Sequence, residues 1–214
     1  MHYLFYITGV VLLVLPAGLL GGRRLKAVTL PEVTNRQRHR LGWLHWVNLF
    51  DVLRAWGGLT LISRAFEIAD PVGSAVSAVP LATTALAALA GLGLQQVFHS
   101  TDEDDLVAPV AYASGLTLAF LPPQVALLAL PFGLVAALGL KSLAMGFVLT
   151  AIASAVLGVL LHLSPLVVGT ASLLLFSPAL LASMLQRRLV MTVRPRPPEI
   201  SDEPLRDVPI RVAR

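Results

Sequence analysis

Apolar residues fall in long runs separated by short polar clusters, and the runs lie at about residues 3–20, 42–62, 77–98, 106–121, 125–140, 142–162 and 165–185. Each run holds about 16 to 22 residues, on the order of 24 to 33 Å as helix, so the pattern predicts an all-α bundle of seven transmembrane spans. The short pair flanking Leu121-Pro122-Pro123-Gln124 requires some local thinning of the bilayer. The second run is the most polar, and Arg36 to Trp56 has an alternative reading as an interfacial amphipathic helix anchored by Trp43, Trp46 and Trp56. Seven crossings with the N-terminus outside place the basic loop Arg23–Arg40, Lys141 and Arg187-Arg188 together on the cytoplasmic side, as basic flanks require, and six do not. Residues 1–191 are thus expected to form the bundle. The Pro-rich, mixed-charge segment 192–214 is expected to be a cytoplasmic tail, extended when alone.

Composition agrees with lipid rather than water as the surroundings. The chain is 56% hydrophobic and 13% charged with a mean hydropathy of +0.78, against roughly 25% charged in a soluble domain. The basic residues follow the first apolar run instead of preceding it, which favours a retained helix over a secretory signal peptide. A net charge of +4 and a pI near 10.1 would suit nucleic acid. Because the bases flank apolar spans, they are read as orientation signals and headgroup contacts, with no nucleic-acid partner. The absence of cysteine removes disulfides, iron–sulfur clusters and thiolate zinc sites. No phosphate loop, H-E-x-x-H or G-x-G-x-x-G motif is present, and neither lysine lies in the last run, where a retinal Schiff base would need one.

The polar residues inside the runs carry the candidate chemistry. His45, Asn48, Asp51 and Arg54 recur every three residues, so on a helix they form a slowly drifting stripe of touching neighbours. A charge at the centre of a span costs about 2.5 to 3.5 kcal/mol, which turns Asp51 and Arg54 toward protein or a watery cavity and toward each other. Two readings follow: an ion or proton pathway, or a staple between helices. His45 and His99 could clasp a haem between helices; no other cofactor is expected. Gln95 and Gln96 are taken to end the third span among the headgroups, and the turn Asp102-Glu103-Asp104-Asp105 to cap the fourth helix or to dock a partner. Arg194 and Arg196 in the tail complete the candidate docking set. Small residues spaced by four, such as Ala111, Gly115 and Ala119, or Gly146, Thr150, Ser154 and Gly158, read as packing faces. Pro131, Pro165 and Pro178 read as helix starts or kinks.

On this evidence the reading is a non-catalytic integral subunit or interaction protein of the cytoplasmic (inner) membrane, with the lipid bilayer and either other membrane subunits or its own copies as partners. The alternative is a small ion- or proton-coupled transporter or channel using Asp51 with Asn48 and Arg54. A third class, a membrane enzyme using Ser114 or His162, is disfavoured because the two lie at different depths.

Overall fold

The computed structural model describes residues 2–15, 26–28, 30, 46–66, 78–98 and 105–193. Among these, the helices are α1 (Tyr3–Val14), α2 (Trp46–Ala65), α3 (Ala78–Phe98), α4 (Val110–Phe120), α5 (Pro123–Leu140), α6 (Leu143–Leu160) and α7 (Pro165–Met184). Three short strands, β1 (Lys26–Val28), β2 (Asp105–Val107) and β3 (Arg188–Val193), complete the described elements.

The expectation of seven transmembrane spans is overturned. Among the described residues, only α5, α6 and α7 are both long and apolar enough to cross a membrane, with 18, 18 and 20 residues. The reason is visible in each of the others. With 12 and 11 residues, α1 and α4 reach about 18 Å and 17 Å, well short of a hydrocarbon core of roughly 30 Å. Helix α2 is long enough but carries Asp51, Arg54 and Arg64. Helix α3 spreads Pro80, Thr83, Thr84, Gln95 and Gln96 along its length. The protein is therefore mostly helical, with a few long apolar helices consistent with membrane residence.

Local sequence explains where these helices begin and end. Pro123 and Pro165 start α5 and α7 at positions where a missing N–H costs nothing, while Pro131 and Pro178 lie inside those helices. Ser142 caps α6, its hydroxyl accepting from Met145 N. The three long helices each end in a left-handed residue that is not glycine: Lys141 (φ 51°), His162 (φ 54°) and Gln186 (φ 53°). In α7 this end is a Schellman motif, with Arg187 N donating to Ala182 O at 2.9 Å and Gln186 N to Ser183 O at 3.2 Å.

The strands form a sheet the apolar pattern did not predict. Its order is β1-β3-β2. Strand β1 runs antiparallel to β3 with Lys26 opposite Val193, and β2 runs parallel to it with Asp105 opposite Arg188. Because β2 leads into α4 and β3 leaves α7, the sheet lies at the end of the bundle where α4 starts and α7 finishes. Asp105 belongs to a strand, and α4 starts at Val110 after Pro109, which supplies no side-chain cap; Asp102, Glu103 and Asp104 lie outside the described residues. Strand β3 also carries ordered pairing to Val193, two residues into the segment expected to be tail; 194–214 lie outside the described residues.

Close backbone approach holds the helices together. A Cβ on Gly9 would lie 2.6 Å from Gly58 O, which brings α1 onto α2, and one on Gly133 would collide with the Thr150 hydroxyl where α5 meets α6. Buried hydroxyls along these contacts return to their own helices: Thr117 donates to Ala113 O and Thr150 to Gly146 O, both at 2.7 Å. These two are therefore satisfied donors in the apolar interior, whereas the buried hydroxyls of Ser154 and Ser172 have no hydrogen-bond partner. Large apolar side chains such as Leu127, Val135, Val159 and Leu173 point outward.

Replacing Gln186 by glycine removes a left-handed side-chain penalty without altering the Schellman hydrogen bonds. Gln186→Gly is expected to stabilise the fold by about 0.5 to 1 kcal/mol, read as a higher thermal midpoint in detergent. Gln186→Val, with a β-branched side chain at the same φ, is expected to lower it.

Candidate functional site

The polar centre of the described fold forms where α1, α2, α3 and α4 meet. Helix α2 turns Arg54, Ala55, Gly58 and Leu59 inward, so the Gly58 contact that seats α1 also carries the Arg54 side chain to the end of α1. That end is exposed as a ligand by its own geometry. The last four carbonyls of a helix lack an amide one turn on, and α1 stops at Val14 with Leu15 in extended backbone. Leu15 N serves Val11 O at 2.9 Å. Leu12 O accepts from Arg54 Nη1 at 3.1 Å, and Leu13 O accepts from the Tyr112 hydroxyl at 2.9 Å. A guanidinium at the negative end of a helix dipole is electrostatically well placed.

Arg54 is fully buried, so its charge needs compensation. Asp51 supplies it one helical turn earlier, with Oδ1 2.9 Å from Arg54 Nη2. The Arg54 guanidinium also lies 5.0 Å from the centre of the Tyr112 ring, within reach of its negative face. Gln95 Nε2 donates to the same Asp51 oxygen at 3.3 Å, tying α3 to α2. The Asp51 side chain keeps 16% of its exposure, so the carboxylate stands at the edge of the site while its cation is sealed inside. Arg54 Nε is buried and has no hydrogen-bond partner, so the guanidinium is less than fully satisfied. Gly91 faces this cluster from α3, where any Cβ would collide with the Tyr112 hydroxyl and Leu13 O.

Of the residues singled out by sequence, the structure brings Asp51 and Arg54 into one cluster, with half-buried Asn48 one turn before Asp51 on the same helix. His45, His99, Asp102, Glu103, Asp104, Arg194 and Arg196 lie outside the described residues, and with them the haem and docking readings. Asp105 sits apart on β2. Ser114 donates to Val110 O of its own helix at 2.8 Å, while His162 is the exposed left-handed residue that ends α6.

Three partners escaped the sequence reading. Gln95 and Gln96 are buried inside the fold; Gln96 Nε2 reaches Pro178 O on α7 at 3.4 Å. Tyr112 lies in an ordinary apolar run, and its one warning sign is a phenol that must find an acceptor when buried. The α1 carbonyls carry no side-chain signature at all. Comparison with protein-family models, curated proteins and solved structures finds no match.

Tyr112→Phe keeps the ring under Arg54 and removes only the bond to Leu13 O. It is expected to cost about 1 kcal/mol, measurable as a lower thermal midpoint in detergent with unchanged helix content.

Proposed function

We propose that this protein is a small membrane-resident ion- or proton-handling protein, a transporter or channel in which Asp51, with Asn48 and Arg54, forms the polar site. The observation that supports this is the asymmetry of the ion pair. Arg54 is buried and anchored to Leu12 O and over Tyr112, whereas Asp51 remains partly accessible. A carboxylate so placed is the member of the pair that can take up a proton or exchange its cation without dismantling the site.

The chemistry follows from these contacts. Protonating Asp51 cancels its charge and weakens the 2.9 Å bond to Arg54, while the guanidinium keeps its hold on the end of α1. The bond from Gln95 Nε2 weakens in the same step, which loosens the connection of α2 to α3. Occupancy of Asp51 is thereby coupled to how three helices are held together. A helix that stops short of the bilayer thickness, with its terminal carbonyls at a buried polar site, has the architecture used by discontinuous helices at ion sites. A pure staple between helices would use the same pair but would not need the carboxylate to be accessible.

Flux separates the two. In liposomes containing the full chain and a pH-sensitive dye or a cation-sensitive dye, Asp51→Asn is expected to reduce flux to the protein-free level. Because removing one partner of a buried pair costs about 3 to 5 kcal/mol, Gln95→Leu provides a second variant that leaves the ion pair intact. It is expected to change the flux rate while the protein stays assembled. Undiminished flux in folded Asp51→Asn would sink the proposal.

A further inference from the structure

A cavity, remote in character from the ion pair, opens between α4, α5 and α6. It has a volume of about 410 Å³ and an almost wholly apolar lining, within the range of sites that take a small ligand. It extends from Leu118 and Leu127 at one end to Leu143 and Met191 beside the sheet. The eleven residues from Leu127 to Ala137 on its α5 wall correspond to about 15 Å of helix, half the thickness of a hydrocarbon core.

The walls specify what kind of ligand fits. Two hydroxyls line the cleft, Ser114 and Thr150, and both donate to carbonyls of their own helices, at 2.8 Å and 2.7 Å. A polar ligand would find no side-chain donor there and would lose its hydration. A hydrocarbon chain loses nothing. Two of the walls, α5 and α6, are helices long and apolar enough to cross a membrane, which places the open side of the cleft against acyl chains.

The end of the cleft beside the sheet adds a sign to the ligand. Exposed Lys141 closes α5 between the lining residues Ala137 and Leu143, and Arg187 and exposed Arg188 precede Met191 on the way into β3. One carboxylate, Asp105, lies opposite Arg188 in the sheet, so cations outnumber it at this end among the described residues. We propose that the cleft holds one acyl chain of an anionic phospholipid from the surrounding bilayer, with its headgroup at Lys141 and Arg188. Such a lipid would also fill the gap between α4 and α5, which follow one another across the short Leu121-Pro122 connection. The proposal rests on membrane residence and not on transport through Asp51.

The test uses the full chain in phosphatidylcholine vesicles containing either phosphatidylglycerol or phosphatidylcholine with a photoreactive diazirine in one acyl chain. Cross-links mapped by mass spectrometry are expected to concentrate on cleft residues of α4, α5 and α6 over the outward Leu166 and Leu173 of α7, and to be stronger with the phosphatidylglycerol probe. Ser114→Phe fills the cleft and should bring its labelling down to that of the outward positions; Leu134→Trp, at a half-open lining position, is a second filling variant if the first does not fold. Lys141→Gln and Arg188→Gln should each reduce the preference for phosphatidylglycerol about fivefold. Even labelling of all outward faces, or cleft labelling unchanged by a folded filling variant, would overturn the acyl-chain site. Equal labelling by the two probes would overturn the anionic assignment.

Discussion

A buried guanidinium on the end of a short helix is the constraint around which the described half of the bundle is arranged. Arg54 cannot be left alone in an apolar interior, and four elements answer it at once: α1 with a carbonyl, α2 with Asp51, α4 with the face of Tyr112, and α3 indirectly through Gln95. The close contact of Gly9 and Gly58 is what makes this possible, because α1 must lie almost backbone to backbone on α2 for Leu12 O to come within reach. Losing Asp51 would leave the Arg54 charge without this counter-ion, and losing the Tyr112 hydroxyl would leave Leu13 O without its donor. The polar centre is thus also the joint of the α1–α4 group.

The other part of the fold, α5 to α7, is held by different means. It has no buried charge; its helices meet through small residues and locally satisfied hydroxyls, at Gly133 with Thr150 and at Gly158 with Val168. These three are also the helices apolar and long enough to cross a membrane. The molecule therefore combines a polar, hydrogen-bonded group of helices with an apolar, shape-packed one. Gln96, reaching Pro178 O from α3, is one polar link between them.

Much of this arrangement was legible in the chain, and the exceptions have physical causes. The apolar runs mark the helices well, since each described helix falls within or close to one of them. What run length could not reveal was where backbone geometry ends a helix inside a run, as at Val14, or begins one late, as at Val110 after Pro109. That distinction removes α1 and α4 from the seven apolar runs, while α2 and α3 have the length and differ by the charged or polar residues they carry. The spacing of Asn48, Asp51 and Arg54 exposed the polar stripe, because charges in an apolar run are conspicuous. Gln95 and Tyr112 were missed because a glutamine near a helix end and a tyrosine in an apolar run both have commoner explanations. The sheet was missed because Arg188–Val193 reads as the end of one run and the start of a tail, and strand pairing between segments more than 80 residues apart leaves no local pattern.

The position of β3 in that sheet has a consequence for how the chain is made. It is the middle strand, so β1 and β2 pair with it and not with each other. During synthesis both are complete long before it emerges, and β2 waits for Arg188–Val190 and β1 for Met191–Val193 to leave the ribosome before they can pair with β3. Closure of the sheet is then a late event that joins the beginning, middle and end of the described chain. The backbone groups of β1 and β2 that await it are open to pairing with another chain meanwhile, so the ribbon that finishes the fold is also the point at which nascent chains are most exposed to one another.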